Sequence, residues 1–224
     1  MIGFRIYERS ERVAPEWVEK FKTIPVANVS DCMSRMTAGG ASLRPMHAGG
    51  VLAGAALTVK TRPGDNLMVH KALAMAQPGD VIVVDAGGDL TNAIIGGLMA
   101  ATAQRKGVAG IIIHGAIRDS GEIAESNFPV YAAGVTHRGP YKDGPGEINV
   151  PVSFGGMVMQ PGDLILADED GCLSIPKEDV EQIYEAAVAK NQAEARTMEA
   201  IVNGTLNTSW IDKTLAELNC EFVK

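Results

Sequence analysis

Two short apolar runs dictate what this chain can fold into. Val81–Val84 (VIVV) and Gly110–His114 (GIIIH) are β-branched and continuous, the pattern of strands buried on both faces. Residues 91–107 (TNAIIGGLMAATAQRKG) lie between them and read as a loop entering a helix. Gln104, Arg105 and Lys106 crowd its last turn, and Gly107 suits the position after the cap. Strand, helix and strand with such short connections predict a right-handed βαβ unit, and so an α/β fold.

The flanking segments agree. Val51–Thr61 reads as a strand, Pro63-Gly64-Asp65 as a turn, and Asn66–Ala76 as a helix with Leu67, Val69, Leu73 and Met75 among its apolar positions. A Pro-Gly-Asp turn leading into a strand occurs twice, at residues 78–88 (PGDVIVVDAGG) and 161–171 (PGDLILADEDG). Two copies do not make a solenoid, so the motif is recurrent turn chemistry ahead of strands in similar settings. Residues 14–37 predict two helical pieces broken at Pro25, the second capped by Ser30 or Asp31. Residues 38–50 read as loop, and 128–160 as irregular structure with short strands. Lys177–Asn203 predicts a long amphipathic helix with Val180, Ile183, Tyr184, Ala187, Met198, Ile201 and Val202 on one stripe. Asn191 and Glu194 share that stripe, and an inward carboxylate needs a partner or a polar cavity. Leu206–Lys224 reads as a short helix and a tail. The 224 residues are expected to form one domain, with 1–23 an N-terminal extension and 177–224 a C-terminal helical segment.

Composition narrows the function. The formal net charge is −7, which argues against a dedicated nucleic-acid binder. No stretch approaches the roughly 20 apolar residues of a membrane span, and the charged first twelve residues lack an apolar signal core. Cys32, Cys172 and Cys220 are odd in number and far apart. They suggest no disulfide framework and fit a cytoplasmic protein.

Chemistry concentrates in two places that a βαβ unit brings together. Gly96, Gly97, Leu98 and Met99 lie at or near the start of the helix, where exposed amides bind anions and glycine allows close approach. Arg118 and Asp119 lie just past the second strand, at the carboxyl end where ligands gather in parallel α/β units. Arginine offers a bidentate fork to a carboxylate, and Asp119 a hard oxygen ligand suited to Mg²⁺ or Mn²⁺. An Arg-Asp pair after a strand also serves as a plain surface ion pair, and Gly-Gly as close packing. Glu122 suits a helix start. Asp168, Glu169 and Asp170 read as a solvated acidic turn. His114 reads as a hydrogen-bonded structural histidine or an acid/base group, and His47, His70 and His137 share no metal-ligand spacing.

The combination TVKTRPGDN, PGDVIVVDAGG, GGLMA, GIIIHGAIRD, NFPVYAAGV and PGDLILADEDG, with a terminal EAR..EAI..G helix, resembles the RraA-like family. That family holds the 4-hydroxy-4-methyl-2-oxoglutarate / 4-carboxy-4-hydroxy-2-oxoadipate aldolases and the regulators of ribonuclease E activity. The resemblance runs from about Ile24 to the end. It implies a swivelling β/β/α domain with flanking helices, assembled as a homotrimer or hexamer with sites between subunits. It implies a divalent-metal lyase with Mg²⁺ or Mn²⁺ as cofactor, acting on a small 2-oxo acid that contains pyruvate. Asp119 would ligate the metal partly through waters, and Arg118 would hold the keto or enolate oxygen and a carboxylate. The Gly96–Met99 backbone would hold the pyruvyl carboxylate, and Glu194 would reach in from a neighbouring subunit to position metal-bound water. The aldolases carry Asp, tied to the water or proton relay, where this chain has Gly97. Glu122, one helical turn after Asp119, is expected to compensate as a second metal ligand. The alternative the resemblance implies is a non-catalytic regulator binding a protein such as ribonuclease E.

Overall fold

A computed structural model describes residues 2–223. The strands are β1 (Phe4–Ile6), β2 (Arg44–Pro45), β3 (Leu52–Thr61), β4 (Asp80–Asp85), β5 (Ala93–Ile95), β6 (Gly110–Ile117), β7 (Val130–Val135), β8 (Gly146–Ile148), β9 (Val152–Phe154), β10 (Met157–Met159), β11 (Leu164–Asp168) and β12 (Gly171–Ile175). The helices are α1 (Pro15–Phe21), α2 (Val26–Cys32), α3 (Leu67–Met75), α4 (Gly97–Arg105), α5 (Ser120–Ala124), α6 (Val180–Val202) and α7 (Ser209–Glu217). The fold is α/β, as the two apolar runs require.

Parallel pairing joins β3, β4, β6 and β7, with β5 also alongside β6. Along this sheet the side chains alternate between two cores. Val81, Val83 and Ile112 face one, with Phe21, Val29, Val180 and Ala187 of α1, α2 and α6. Ile82, Val84, Ile111 and Ile113 face the other, with Val69, Leu73, Ala103 and Ile123 of α3, α4 and α5. Both faces of these strands are covered, which is why their sequences show no polar alternation.

The two Pro-Gly-Asp copies flank one strand. Ala55 of β3 pairs with Asp80 on one side, in parallel, and with Leu164 on the other, antiparallel. In each copy the aspartate folds back onto the amide three residues earlier: Gln77 N–H donates to Asp80 Oδ2 and Gln160 N–H to Asp163 Oδ2, both at 2.9 Å. The shared turn chemistry is therefore a buried Asx-type cap on a strand entry.

Three expectations change. The N-cap of α2 is Pro25, and Ser30 and Asp31 fall inside the helix. Its first amide, Val26 N–H, instead donates to Asp168 Oδ2 at 3.0 Å, a partner 142 residues away that local sequence cannot reveal. The acidic turn thus caps a helix. Within the N-terminal extension, β1 pairs in parallel with β8. The α6 stripe is buried only in its first half: Val180 and Ala187 are covered, whereas Met198, Ile201 and Val202 are exposed. Among the described residues no helix is long and apolar enough to cross a membrane.

Burial also sorts the cysteines. The Cys172 thiol is pushed up to about 12 by desolvation, whereas Cys220 is exposed. A thiol reagent at about pH 8 is expected to modify Cys220 in the folded protein and to reach Cys172 only on unfolding, because the thiolate is the reactive form. Peptide mapping of the labelled sites checks this, and native labelling of Cys172 would contradict it.

Candidate active site

A cleft of about 290 Å³ opens at the carboxyl ends of β5 and β6, small enough to suit a ligand of few atoms. One wall is the chain expected from sequence. Gly96 caps the N-terminus of α4 in extended conformation, and Arg118 and Asp119 follow directly on β6. Arg118 N–H donates to Ile95 O at 3.0 Å, which docks the end of β5 against the Arg-Asp step.

Asp119 has φ +56°, left-handed backbone that a non-glycine residue adopts at some cost, aspartate more readily than most. The turn aims its carboxylate back at the start of α4. Gly97 N–H donates to Asp119 Oδ2 at 2.9 Å, and Arg118 Nε lies 3.7 Å from the same oxygen. A negative group therefore already occupies part of the helix N-terminus. Met99 N–H donates to Gly96 O. Of the amides at 97–99, helix geometry leaves Leu98 N–H without an intrahelical acceptor. Of the expected carboxylate cradle the Leu98 amide is the one left open, and Leu98 and Arg118 line the same cleft.

The glycine pair is fixed by close approach. A Cβ at Gly96 would run into Asp119 Oδ2, and one at Gly97 into Glu122 Oε2. The Glu122 carboxylate thus stands where a side chain at 97 would begin. The two carboxylates flank consecutive glycines but face different spaces: Asp119 lines the main cleft, and Glu122 lines a smaller one of about 100 Å³ between α4 and α5. Glu194 meets neither within one chain. It lies on α6, 3.0 Å from Lys190 Nζ, which also pairs with Asp31 at 2.8 Å. The Lys190 contact holds the Glu194 carboxyl below the usual carboxylate range.

The opposite wall was not found from sequence. It consists of Asn66 and His70 at the start of α3 and of Gly139, Pro140 and Lys142. Asp65, fully buried, ties these pieces together. Its carboxylate accepts from Leu67 N–H at 2.9 Å, Asp143 N–H at 2.7 Å and Gly144 N–H at 2.9 Å. Asn66 Nδ2 donates to Ile94 O at 2.8 Å and joins the two walls. The signal was present: a Pro-Gly-Asp turn followed by Asn, read only as punctuation. What it lacked was any hint that residues 139–144 pack against it. His114 is placed elsewhere, with Nδ1 3.3 Å from Asp85 Oδ1 and its ring stacked on Phe154. His47 is buried, its Nδ1 3.1 Å from Val130 O.

The donor chemistry fits a hard cation that keeps most of its water. Mg²⁺ ordinarily takes one or two carboxylates and retains several waters. Asp119 offers such an oxygen to the cleft, and among the described residues no three His, Cys, Asp or Glu side chains form a dehydrated cage.

Fold and cleft together define an α/β protein with a small cleft at the carboxyl ends of its parallel strands. The chain belongs to the RraA-like family: the family's description, Aldolase/RraA, matches residues 26–173. A Thermus thermophilus protein named 4-hydroxy-4-methyl-2-oxoglutarate aldolase is 42% identical over 113 residues, covering 50% of this chain and 69% of that one. A Halalkalibacterium halodurans protein, given the same name provisionally, is 40% identical over 188 residues, covering 84% and 89%. Among solved structures, Streptomyces coelicolor RraAS2, titled an unusual member of the RNase ES inhibitor RraA family, superposes with a TM-score of 0.77 at 28% identity over 84% of this chain and 98% of that one. The Thermus RNA-processing inhibitor RraA does so with 0.63 at 35% identity, over 68% and 92%.

Proposed function

We propose that this protein is a divalent-metal-dependent carbon–carbon lyase acting on pyruvate-containing acids, by decarboxylation of oxaloacetate, by retro-aldol cleavage of 4-hydroxy-2-oxo acids, or both. The observation that carries this reading is the convergence of Arg118, Asp119 and the α4 N-terminus on one small cleft. The aldolase names of its relatives support it.

The barrier in either reaction is the negative charge left on the pyruvyl fragment when the bond to carbon breaks. Arg118 would hold the keto oxygen as it becomes an enolate, and the Leu98 amide the neighbouring carboxylate. Mg²⁺ or Mn²⁺ held by Asp119 would supply Lewis-acid stabilisation of that charge, and Glu122, which lines the neighbouring cavity, would join as a second carboxylate only by turning toward the main cleft. Asp119 also spans the α4 N-terminus, so the cation and the substrate carboxylate would be positioned by one side chain. In this reading Glu194 reaches the cleft from a neighbouring copy in a homotrimer or hexamer. The protein is taken as cytoplasmic.

Pyruvate release from oxaloacetate and from 4-hydroxy-4-methyl-2-oxoglutarate tests the proposal. Activity is expected with Mg²⁺ and to be lost with EDTA or in Asp119→Ala. Asp119→Ala and Glu122→Ala are each expected to weaken Mg²⁺ affinity about 10- to 100-fold by calorimetry. An unchanged titration in Glu122→Ala removes it as a ligand. The RraA neighbours favour a second reading, a regulator that binds a ribonuclease. A rate indifferent to both metal and Asp119→Ala would support it instead.

A further inference from the structure

Resting on the lyase reading, we infer that His70 is the acid/base group that takes the proton from the substrate 4-hydroxyl during retro-aldol cleavage. The reaction needs such a base. Residue 97 supplies none, because it is glycine and the space above it is filled by Glu122.

The cleft offers three side chains for proton chemistry: Asp119, Lys142 and His70. Asp119 is committed to the Gly97 amide and faces the Arg118 guanidinium. A proton taken there would undo the contact that aims it. Lys142 bears the positive charge that acts on His70. His70 remains, on the wall opposite Arg118. It is carried by α3, whose first turn is fixed by Asp65 and by the Asn66 bridge to Ile94. A substrate with its pyruvyl end on Arg118 and Leu98 would extend its C4 end toward that wall.

Desolvation in the cleft, with the Lys142 charge second, holds His70 below the ordinary histidine value of 6.5. The charged groups lining the same cleft are Lys142, Arg118 and Asp119.

The step balances within the substrate and this side chain. The imidazole takes the 4-hydroxyl proton, and C4–O becomes a carbonyl. The C3–C4 electron pair moves into the C2–C3 bond as the keto oxygen becomes the enolate held by Arg118. The imidazolium then returns the proton to C3, giving pyruvate and a second carbonyl acid.

The test compares wild type, His70→Gln and Lys142→Met on 4-hydroxy-4-methyl-2-oxoglutarate and on oxaloacetate, which has no hydroxyl proton to remove. For His70→Gln, kcat for cleavage is expected to fall about 100- to 1000-fold, as for loss of a general base. The ratio of cleavage to decarboxylation falls with it, and the acidic limb of the cleavage pH profile, below pH 6.5 in wild type, disappears. Lys142→Met is expected to move that limb upward, because the neighbouring positive charge is gone. A His70→Gln enzyme that keeps the wild-type ratio, or its acidic limb, overturns the assignment alone. A wild type that releases pyruvate from neither substrate overturns the lyase reading and the assignment together.

Discussion

Replacing Arg118 by alanine is expected to lower kcat for pyruvate release about 100- to 1000-fold, the cost of removing one preorganised donor from a developing oxyanion. The guanidinium stands at the carboxyl end of β6, its backbone amide held by Ile95 O and its Nε 3.7 Å from Asp119. It thus lines the cleft beside the Asp119 carboxylate. Arg118→Lys keeps the charge but loses the planar fork, so it should recover only part of the rate while holding KM nearer to wild type. Steady-state kinetics on oxaloacetate with saturating Mg²⁺ decides the matter. An alanine variant within threefold of wild type would remove Arg118 from the chemistry. An effect confined to KM would make it a binding group whose contact does not strengthen as the bond breaks.

The largest expected loss of stability lies far from the cleft. Arg9 Nη2 contacts Asp80 Oδ1 at 2.8 Å and Oδ2 at 3.0 Å, with the two side chains only 9% and 1% exposed. Arg9 Nη1 also donates to Ala56 O, and Asp80 accepts from Gln77 N–H. Asp80→Ala would strand a desolvated guanidinium and leave the Gln77 amide without its acceptor at the entry of β4. Breaking one side of such a pair costs about 3–5 kcal/mol, a large fraction of a typical domain's stability. Urea denaturation should show a lowered midpoint with little change in slope. Arg12, whose Nη1 lies 3.7 Å from the same carboxylate and which is more exposed, would lose a weaker contact in the same variant. Combining Asp80→Asn with Arg9→Met should restore much of the loss, because no buried charge is then left unpaired. A single Asp80→Ala variant as stable as wild type would show that water reaches Arg9 freely.

The local chemistry of the sequence carried far. VIVV and GIIIH became β4 and β6 in parallel register, with Val81 opposite Gly110 and Asp85 opposite His114. Gly107 took positive φ after α4, and Pro25 separated α1 from α2. The near wall of the cleft was equally accessible, because Gly96 and Arg118 are two ends of one βαβ unit and the unit's handedness places them together. The far wall was not. His70 and Lys142 are 72 positions apart and meet only because Asp65 accepts amides from both the α3 start and residues 143–144. The α6 stripe failed for a related reason: periodicity reports that a helix has an apolar face, not whether the fold supplies something to cover it.

The sequence by itself determined the elements and the chirality of their connection, since side-chain branching, glycine and proline act on the few residues around them. Tertiary structure decided which carboxylates are spent on holding the fold and which is left lining a cleft. Asp65, Asp80, Asp163 and Asp168 are consumed by amides or by Arg9, whereas Asp119, though it too accepts an amide, lines a cleft. All five are aspartates at turns or strand ends, and what separates them is the distant partner each one finds. That partner is fixed by long-range packing, which no local pattern encodes.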